Sequence, residues 1–489
     1  MTLPASAVPL PAFGFDNSYA RDLPGFYVDW QAAEAPAPRL LRLNHALAAE
    51  LGLDPAALEP VAAGVFSGNL LPTGAHPLAQ VYAGHQFGGF SPQLGDGRAL
   101  LLGEVIDRNG ARRDIQLKGS GRTPFSRSGD GKAAIGPVLR EYLIGEAMHA
   151  LGVPTTRALA AVTTGQSILR DTGPLPGAVL TRVAASHIRV GTFQYFAARG
   201  EVAKLRQLAD YSMARHYPAL EQGDYLGFFR AVAGAQARLV AQWMGLGFIH
   251  GVMNTDNVAI SGETIDYGPC AFMEAYAPGT VFSSIDSGGR YAYANQPLLL
   301  GWNMARFAEA LLPLLDADED RAVALATEAL GDLMPAYESA WLAVMRAKLG
   351  LAGEDAGDAA LAQGLLAAMD GQAADWTLTF RRLATAVGGD AGLLRPLFAD
   401  ATALDDWLPR WRARLAPGAG QAMNAVNPAC IPRNHRVEEA LAAAQHGDMG
   451  PFETLLSVLA TPFTDQPGRE GYALPAPAGF GRYRTFCGT

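Results

Sequence analysis

Near residue 195 the spacing of apolar side chains changes, and that change restricts the chain to an α+β architecture in two parts. From about 76 to 195 the apolar runs are short and strand-like, as in ALLLGEVI, RRDIQLKG and GAVLTRVA, with Asp107-Arg108-Asn109-Gly110 as a turn between the first two. After about 196 they recur at helical spacing, as in YLGFFRAVAGAQARLVAQWM and QPLLLGWNMARFAEALLPLL. One helix interrupts the strands. Gly136-Pro137 opens it, Leu139, Leu143 and Ala147 form its apolar stripe, and Gly152 followed by Pro154 closes it. The pattern predicts a small strand-rich lobe at 76–195 and a larger helical lobe at 196–349. Residues 1–75 read as a Pro- and Ala-rich extension with a helix near 39–51, and 350–489 as an Ala-rich helical extension with a Gly- and Pro-rich tail.

A chain of 489 residues with 49% hydrophobic and 17% charged residues can bury a large core. Its net charge of −9 argues against a broad nucleic-acid footprint. The opening MTLPASAVPLPAFGF lacks a basic n-region, and no uninterrupted run of about twenty apolar residues occurs. A cytosolic protein without a membrane partner is expected, and a monomer. Three cysteines, Cys270, Cys430 and Cys487, form no CxxC pair and are expected to be reduced.

The stretch 250–268, HGVMNTDNVAISGETIDYG, gathers oxygen ligands around an expected hairpin. Asn257 opens the run VAI, Ser261-Gly262 is a turn signal, and Glu263-Thr264-Ile265 returns to Asp266. Asn257 and Asp266 then meet as hard ligands suited to Mg²⁺, and Asp256 is left free to act as a base. The arrangement resembles the catalytic and metal loops of protein kinases, where a metal-binding Asn lies seven residues after a His and Asp-Phe-Gly follows. His250 and Asn257 keep that separation, and Asp266-Tyr267-Gly268 replaces the last motif. Val252 stands where kinases keep the base aspartate. The competing reading of such an Asp-Asn pair is a polar turn beside a buried strand.

Lys118 ends RRDIQLK, where alternation puts it on one face with Gln116, opposite Ile115 and Leu117. Glu141, on the helix that follows, can fix it as a phosphate-binding charge. Gly95-Asp96-Gly97-Arg98, Gly119-Ser120-Gly121 and Gly129-Asp130-Gly131-Lys132 can line phosphates, although none is a Walker loop. Arg182 and Arg189 are close enough in sequence to converge on one polyphosphate. His85 and His435 have no nearby ligand partners and read as structural.

Five segments, YAGHQFGGFSPQLGDGRALLLGE, DIQLKGSGRTPFSRSGDGKAAIGPVLREYLIGEAMHALGVPTTRAL, FIHGVMNTDNVAISGETIDYGPCAF, RYAYANQP and NPACIPRNHRVEEAL, together resemble the selenoprotein O family of kinase-like proteins. The resemblance implies a protein-kinase-like bilobal fold that binds ATP in reversed orientation and transfers AMP to Ser, Thr or Tyr hydroxyls of proteins, self-modification included. Carried over by motif, Gly95, Gly97, Arg98, Lys118, Asp130, Gly131, Arg182, Arg189 and Asp266 would hold the nucleotide. Asn257 and Asp266 would bind Mg²⁺ or Mn²⁺, Asp256 would accept the proton, and Glu141 would pair with Lys118. UTP becomes a second donor if the base pocket is permissive. Cys270 with Cys487 matches a regulatory disulfide of bacterial-type relatives, and Cys487 takes the place of the selenocysteine near the end of many animal members. A kinase that moves the γ-phosphate and a catalytically dead nucleotide-binding scaffold are the competing functions.

Overall fold

The computed structural model describes residues 10–170 and 173–486. Twelve strands form among the described residues: Tyr27–Asp29 (β1), Arg39–Leu43 (β2), Leu78–Gln80 (β3), Gly84–Gln86 (β4), Gly89–Ser91 (β5), Ala99–Ile106 (β6), Arg112–Lys118 (β7), Ala133–Ala134 (β8), Arg157–Arg170 (β9), Gly173–Ala184 (β10), Phe248–Ile249 (β11) and Ala271–Phe272 (β12). The main sheet is antiparallel and runs β1-β3-β6-β7-β10-β9-β2, with β8 added to β10. β4 and β5 form a separate hairpin, and β11 pairs with β12.

The alternation expected in β7 decides how the sheet is covered. Ile115 and Leu117 are fully buried against Leu58, Val61, Val65 and Phe66 of the helix Pro55–Ser67. Burying side chains of this size stabilises by roughly 1.5–3 kcal/mol each. Gln116 and Lys118 face the other way, toward the helix Ile135–Ala150 and the bulk of the protein. That helix buries Leu139, Leu143 and Ala147 as its stripe predicts, and it carries Glu141 beneath the sheet.

Helices dominate after the sheet. Tyr225–Leu246 packs against both Gln296–Leu315 and Leu333–Leu349 in a core shared with the inner face of the sheet. The segment Tyr293–Leu315 is long and apolar enough to cross a membrane by composition, but half of its most apolar window (50%) is buried inside the protein. The described part of the tail is tied to the body of the protein at Tyr483 and Thr485. Tyr483 accepts from Arg140 at 2.9 Å and donates to Glu438 at 2.6 Å, while Thr485 Oγ1 donates to the Pro269 carbonyl at 2.6 Å.

Two local expectations are corrected. The helix expected near 39–51 is a strand followed by a shorter helix. RLLRL pairs with β9, and Asn44 then caps the helix His45–Glu50 by accepting from the Leu47 amide at 3.1 Å. The hairpin expected between Asn257 and Asp266 keeps its turn, closed from Gly262 N to Ala259 O at 3.1 Å, but its arms do not pair with each other. Ala259 bridges Arg189 and Thr264 bridges Thr155. Arms this short make a weak ladder alone, so each is taken up by a neighbouring segment.

Candidate active site

Where the sheet meets the helical part, a cavity of about 470 Å³ is lined by Gly95, Gly97, Arg98, Lys118, Asp130, Gly131, Arg182, Arg189, Asp256, Asn257 and Asp266. Of the residues expected to serve nucleotide, metal or proton transfer, Glu141 alone stands behind this wall. From there it accepts a hydrogen bond from Lys118. A larger hollow of about 990 Å³ beside Trp30 and His76 shares Asp130 and Lys132 but has neither Lys118 nor Asp266 in its walls.

Asp266 is the hub. Its Oδ1 accepts from Lys118 Nζ at 2.6 Å and Arg182 Nη1 at 2.7 Å, and its Oδ2 accepts from Arg189 Nη1 at 2.9 Å. Burial alone would raise this carboxyl, but Lys118, Arg182 and Arg189 together overrule it and hold the group well below the usual carboxylate range. The backbone of Asp266 is left-handed, with φ of 66°, a conformation that persists at a non-glycine residue only where its surroundings enforce it. Glu141 completes the arrangement with Lys118 at 2.6 Å and Arg182 at 3.2 Å. Gln116 Oε1, two residues before Lys118 on the same strand face, accepts from Arg182 Nη2 at 2.5 Å.

The loop after β11 supplies the opposite wall. His250 is buried, donates from Nε2 to the Ile265 carbonyl at 2.9 Å and accepts at Nδ1 from the Val252 amide at 3.4 Å. Burial lowers its pKa, so the ring is neutral and ties this loop to the segment bearing Asp266. Asn257 spends its amide nitrogen on the Val252 carbonyl at 3.1 Å, which leaves its oxygen as the atom for a ligand. Asp256 Oδ2 accepts from Gln86 Nε2 at 3.2 Å, and Oδ1 is buried with no hydrogen-bond partner among the described residues. Burial pushes this carboxyl up to about 6, with Arg189 opposing.

Glycines form the rim. Gly121 N donates to Gly131 O at 3.0 Å and Ser120 bridges Lys132, so the second and third glycine segments are joined. Gly131 has φ of 69°, and a Cβ there would collide with the Gly121 carbonyl. Asp130 pairs with Arg170 at 2.8 Å and accepts from the Lys132 amide at 2.9 Å, which fixes this turn at the cavity mouth.

No group of three or more His, Cys, Asp or Glu side chains capable of holding a metal occurs among the described residues. The donor set nevertheless fits a cation that arrives with a polyphosphate. A carboxylate offers about four lone-pair sites, and the three cationic contacts leave Asp266 Oδ2 able to accept again, in a cavity shared with the Asn257 amide. Mg²⁺ characteristically takes one or two protein carboxylates and completes its shell with phosphate and water.

Cys270 is buried, donates to the Tyr267 carbonyl at 3.5 Å, and has its thiol pushed up to about 12 by burial. Cys487 lies outside the described residues. Sequence reasoning missed Tyr82, whose ring lies 4.7 Å from the Arg189 guanidinium, and Gln86, which holds Asp256. Both lie in the quoted YAGHQFGGF segment, but nothing in that segment names a target as distant as Asp256, 170 residues after Gln86.

The sequence profile of the family described as Protein adenylyltransferase SelO matches residues 10–460. A Cereibacter sphaeroides (strain KD131 / KCTC 12085) protein named Protein nucleotidyltransferase YdiU is 70% identical over 480 residues, spanning 98% of this chain and 100% of that one. A protein of the same name from Rhizobium johnstonii is 59% identical over 498 residues, 98% of each chain. Another, from Mycobacterium sp. (strain KMS), is 59% identical over 478 residues, 97% of this chain and 99% of its own. Similarity of this depth along nearly the whole length leads to one conclusion: the chain belongs to the SelO family.

Proposed function

We propose that the chain is a protein nucleotidyltransferase that moves AMP from ATP to Ser, Thr or Tyr hydroxyls of proteins and releases pyrophosphate. The observation that carries the reading is the convergence of Lys118, Arg182 and Arg189 on Asp266 in a cavity whose other wall holds Asp256 and Asn257. Lys118, Arg182 and Arg189 carry three positive charges against the two carboxylates of Asp266 and Glu141, and polyphosphate oxygens would take up the excess. The acceptor oxygen attacks the α-phosphorus, its proton passes to Asp256, and the bond to pyrophosphate breaks.

Asn257 and Asp266 would hold Mg²⁺ or Mn²⁺, which when bound supplies charge neutralisation for the polyphosphate. Lys118, fixed by Glu141, and the two arginines would stabilise the negative charge that gathers on the leaving pyrophosphate. The strand lysine, helix glutamate and downstream Asp266 support a protein-kinase-like fold, and Val252 in place of the kinase base disfavours ordinary phosphoryl transfer. ATP labelled at the α- or γ-phosphate tests the reading in the presence of Mg²⁺ or Mn²⁺. Retention of α-label on protein, with a gain of one adenylate by intact mass, is expected. Retention of γ-label instead would make it a kinase, and neither label would leave a nucleotide-binding scaffold.

A further inference from the structure

Gln116 and Arg182 are directly opposed residues on the antiparallel strands β7 and β10, and both are buried. Arg182 reaches its two carboxylates through a single nitrogen, since Nη1 donates to Asp266 Oδ1 at 2.7 Å and to Glu141 Oε1 at 3.2 Å. A guanidinium gripped at one corner can still swing about it. The second grip is the bond from Nη2 to Gln116 Oε1 at 2.5 Å, while Nε is buried and has no hydrogen-bond partner among the described residues. Two grips fix the plane of the fork, and that plane decides how its donors meet phosphate oxygens.

A side-chain amide can turn over and present its nitrogen in place of its oxygen, so Gln116 needs an orienting partner of its own. Asp96 supplies it. Its Oδ2 accepts from Gln116 Nε2 at 3.3 Å, which leaves Oε1 for Arg182. The backbone of Gln80 holds Asp96 in turn: its amide donates to Oδ2 at 3.1 Å, and its carbonyl accepts from the Asp96 amide at 2.9 Å.

Asp96 stands between Gly95 and Gly97 in the cavity wall and is buried. A carboxylate repels phosphate, so its place in that wall calls for another use. Its bonds to Gln116 and Gln80 give one.

We propose that Asp96 and Gln116 are positioning residues for the nucleotide: through them the glycine segment at 95–97 and the Arg182 guanidinium are locked into one arrangement, which the polyphosphate of ATP finds already formed. Such preorganisation removes an ordering cost from binding. The inference rests on the ATP-binding part of the nucleotidyl-transfer reading and extends it to two residues that act through the phosphate-binding groups.

Calorimetric titration of the full chain and its variants with ATP and Mg²⁺ tests it. Gln116→Met keeps the length of the side chain but loses the acceptor, and should weaken ATP binding about tenfold. Gln116→Glu keeps an acceptor for Arg182. Burial already pushes the Asp96 carboxyl up to about 6, so beside a second carboxylate it takes a proton, donates to the new side chain and leaves the charge of the wall as it was. This variant should bind ATP within about threefold of the wild type. Packing alone would give the reverse order, because an apolar side chain of equal length leaves no buried amide to satisfy. In an Arg182→Lys background Gln116→Met should weaken binding no further, since the residue it acts through has lost its fork. Binding weakened by Gln116→Glu as much as by Gln116→Met, or equal losses from Gln116→Met with and without Arg182→Lys, would each overturn the proposal. Where Gln116→Met does not fold, Gln116→Glu decides alone, and a loss of about tenfold or more overturns it. No binding of ATP by the wild type would also overturn it, whereas binding without transfer of α-label would overturn the nucleotidyl-transfer reading alone.

Discussion

Lys118 and Asp266 are 148 residues apart in sequence and 2.6 Å apart in space. The contact joins the end of a sheet strand to the loop beyond β11, and it shares Asp266 with Arg182 and Arg189. Without that carboxylate Glu141 alone would be left to offset Lys118 and Arg182, with Arg189 beside them in a half-dry cavity where like charges repel strongly.

Asp266→Ala is therefore expected to abolish metal-dependent transfer and to retain, or strengthen, binding of metal-free ATP. Calorimetric titration of ATP with and without Mg²⁺ reads both effects. Metal-dependent transfer at the wild-type rate would refute the assignment of Asp266.

Asp256→Ala is expected to lower turnover by about 10²–10⁴, the usual range for loss of a general base, with nucleotide affinity nearly unchanged. Steady-state rates combined with equilibrium ATP binding separate the two quantities. A variant that no longer binds ATP would show that Asp256 belongs to the nucleotide site instead.

Glu141→Gln leaves Lys118 and Arg182 with Asp266 as their remaining carboxylate, so both cations become less fixed. KM for ATP should rise by about tenfold, the worth of one charge-assisted hydrogen bond. An unchanged KM would mean that Asp266 positions Lys118 without help.

Glu263 gives a pH signature in stability. Burial raises its carboxyl from 4.5 to about 7, despite hydrogen bonds from the Ala185 amide and Ser261 hydroxyl. The folded state therefore holds this proton more tightly than the unfolded state. Its contribution is greatest below pH 4.5 and is lost as pH rises through about 7, a change on the order of 3 kcal/mol at most. Thermal midpoints at pH 5 and pH 8 should differ less in Glu263→Gln than in the wild type. An equal difference in both would remove Glu263 as the source.

A Cys270–Cys487 disulfide, as the family resemblance implies, would lower transfer under oxidising conditions, with activity restored by dithiothreitol and no such response in Cys270→Ser. Thr485, in the described part of the tail, donates to Pro269, the residue before Cys270. A raised thiol pKa opposes the disulfide, because the thiolate is the species that exchanges disulfides. Equal activity with and without reductant would count against the link.

Much of the site was legible because its residues sit at positions with strong local rules. Strand alternation put Lys118 and Gln116 on one face, and the helix start at Gly136-Pro137 located Glu141. The hairpin expected at 257–266 failed for a reason invisible locally. Its arms are short, and the partners that outcompeted them, Arg189 and Thr155, come from distant segments.

By itself the sequence determined the α+β class, the order of strand-rich and helical parts, and the residue types able to bind phosphate and metal, because periodicity and side-chain chemistry are local properties. Tertiary structure alone decided that Lys118, Arg182 and Arg189 share one carboxylate, that Gln86 holds Asp256, and that Gln116 joins Arg182 to Asp96. Those relationships depend on which segments win each other as neighbours, and that competition is settled by packing across the whole chain.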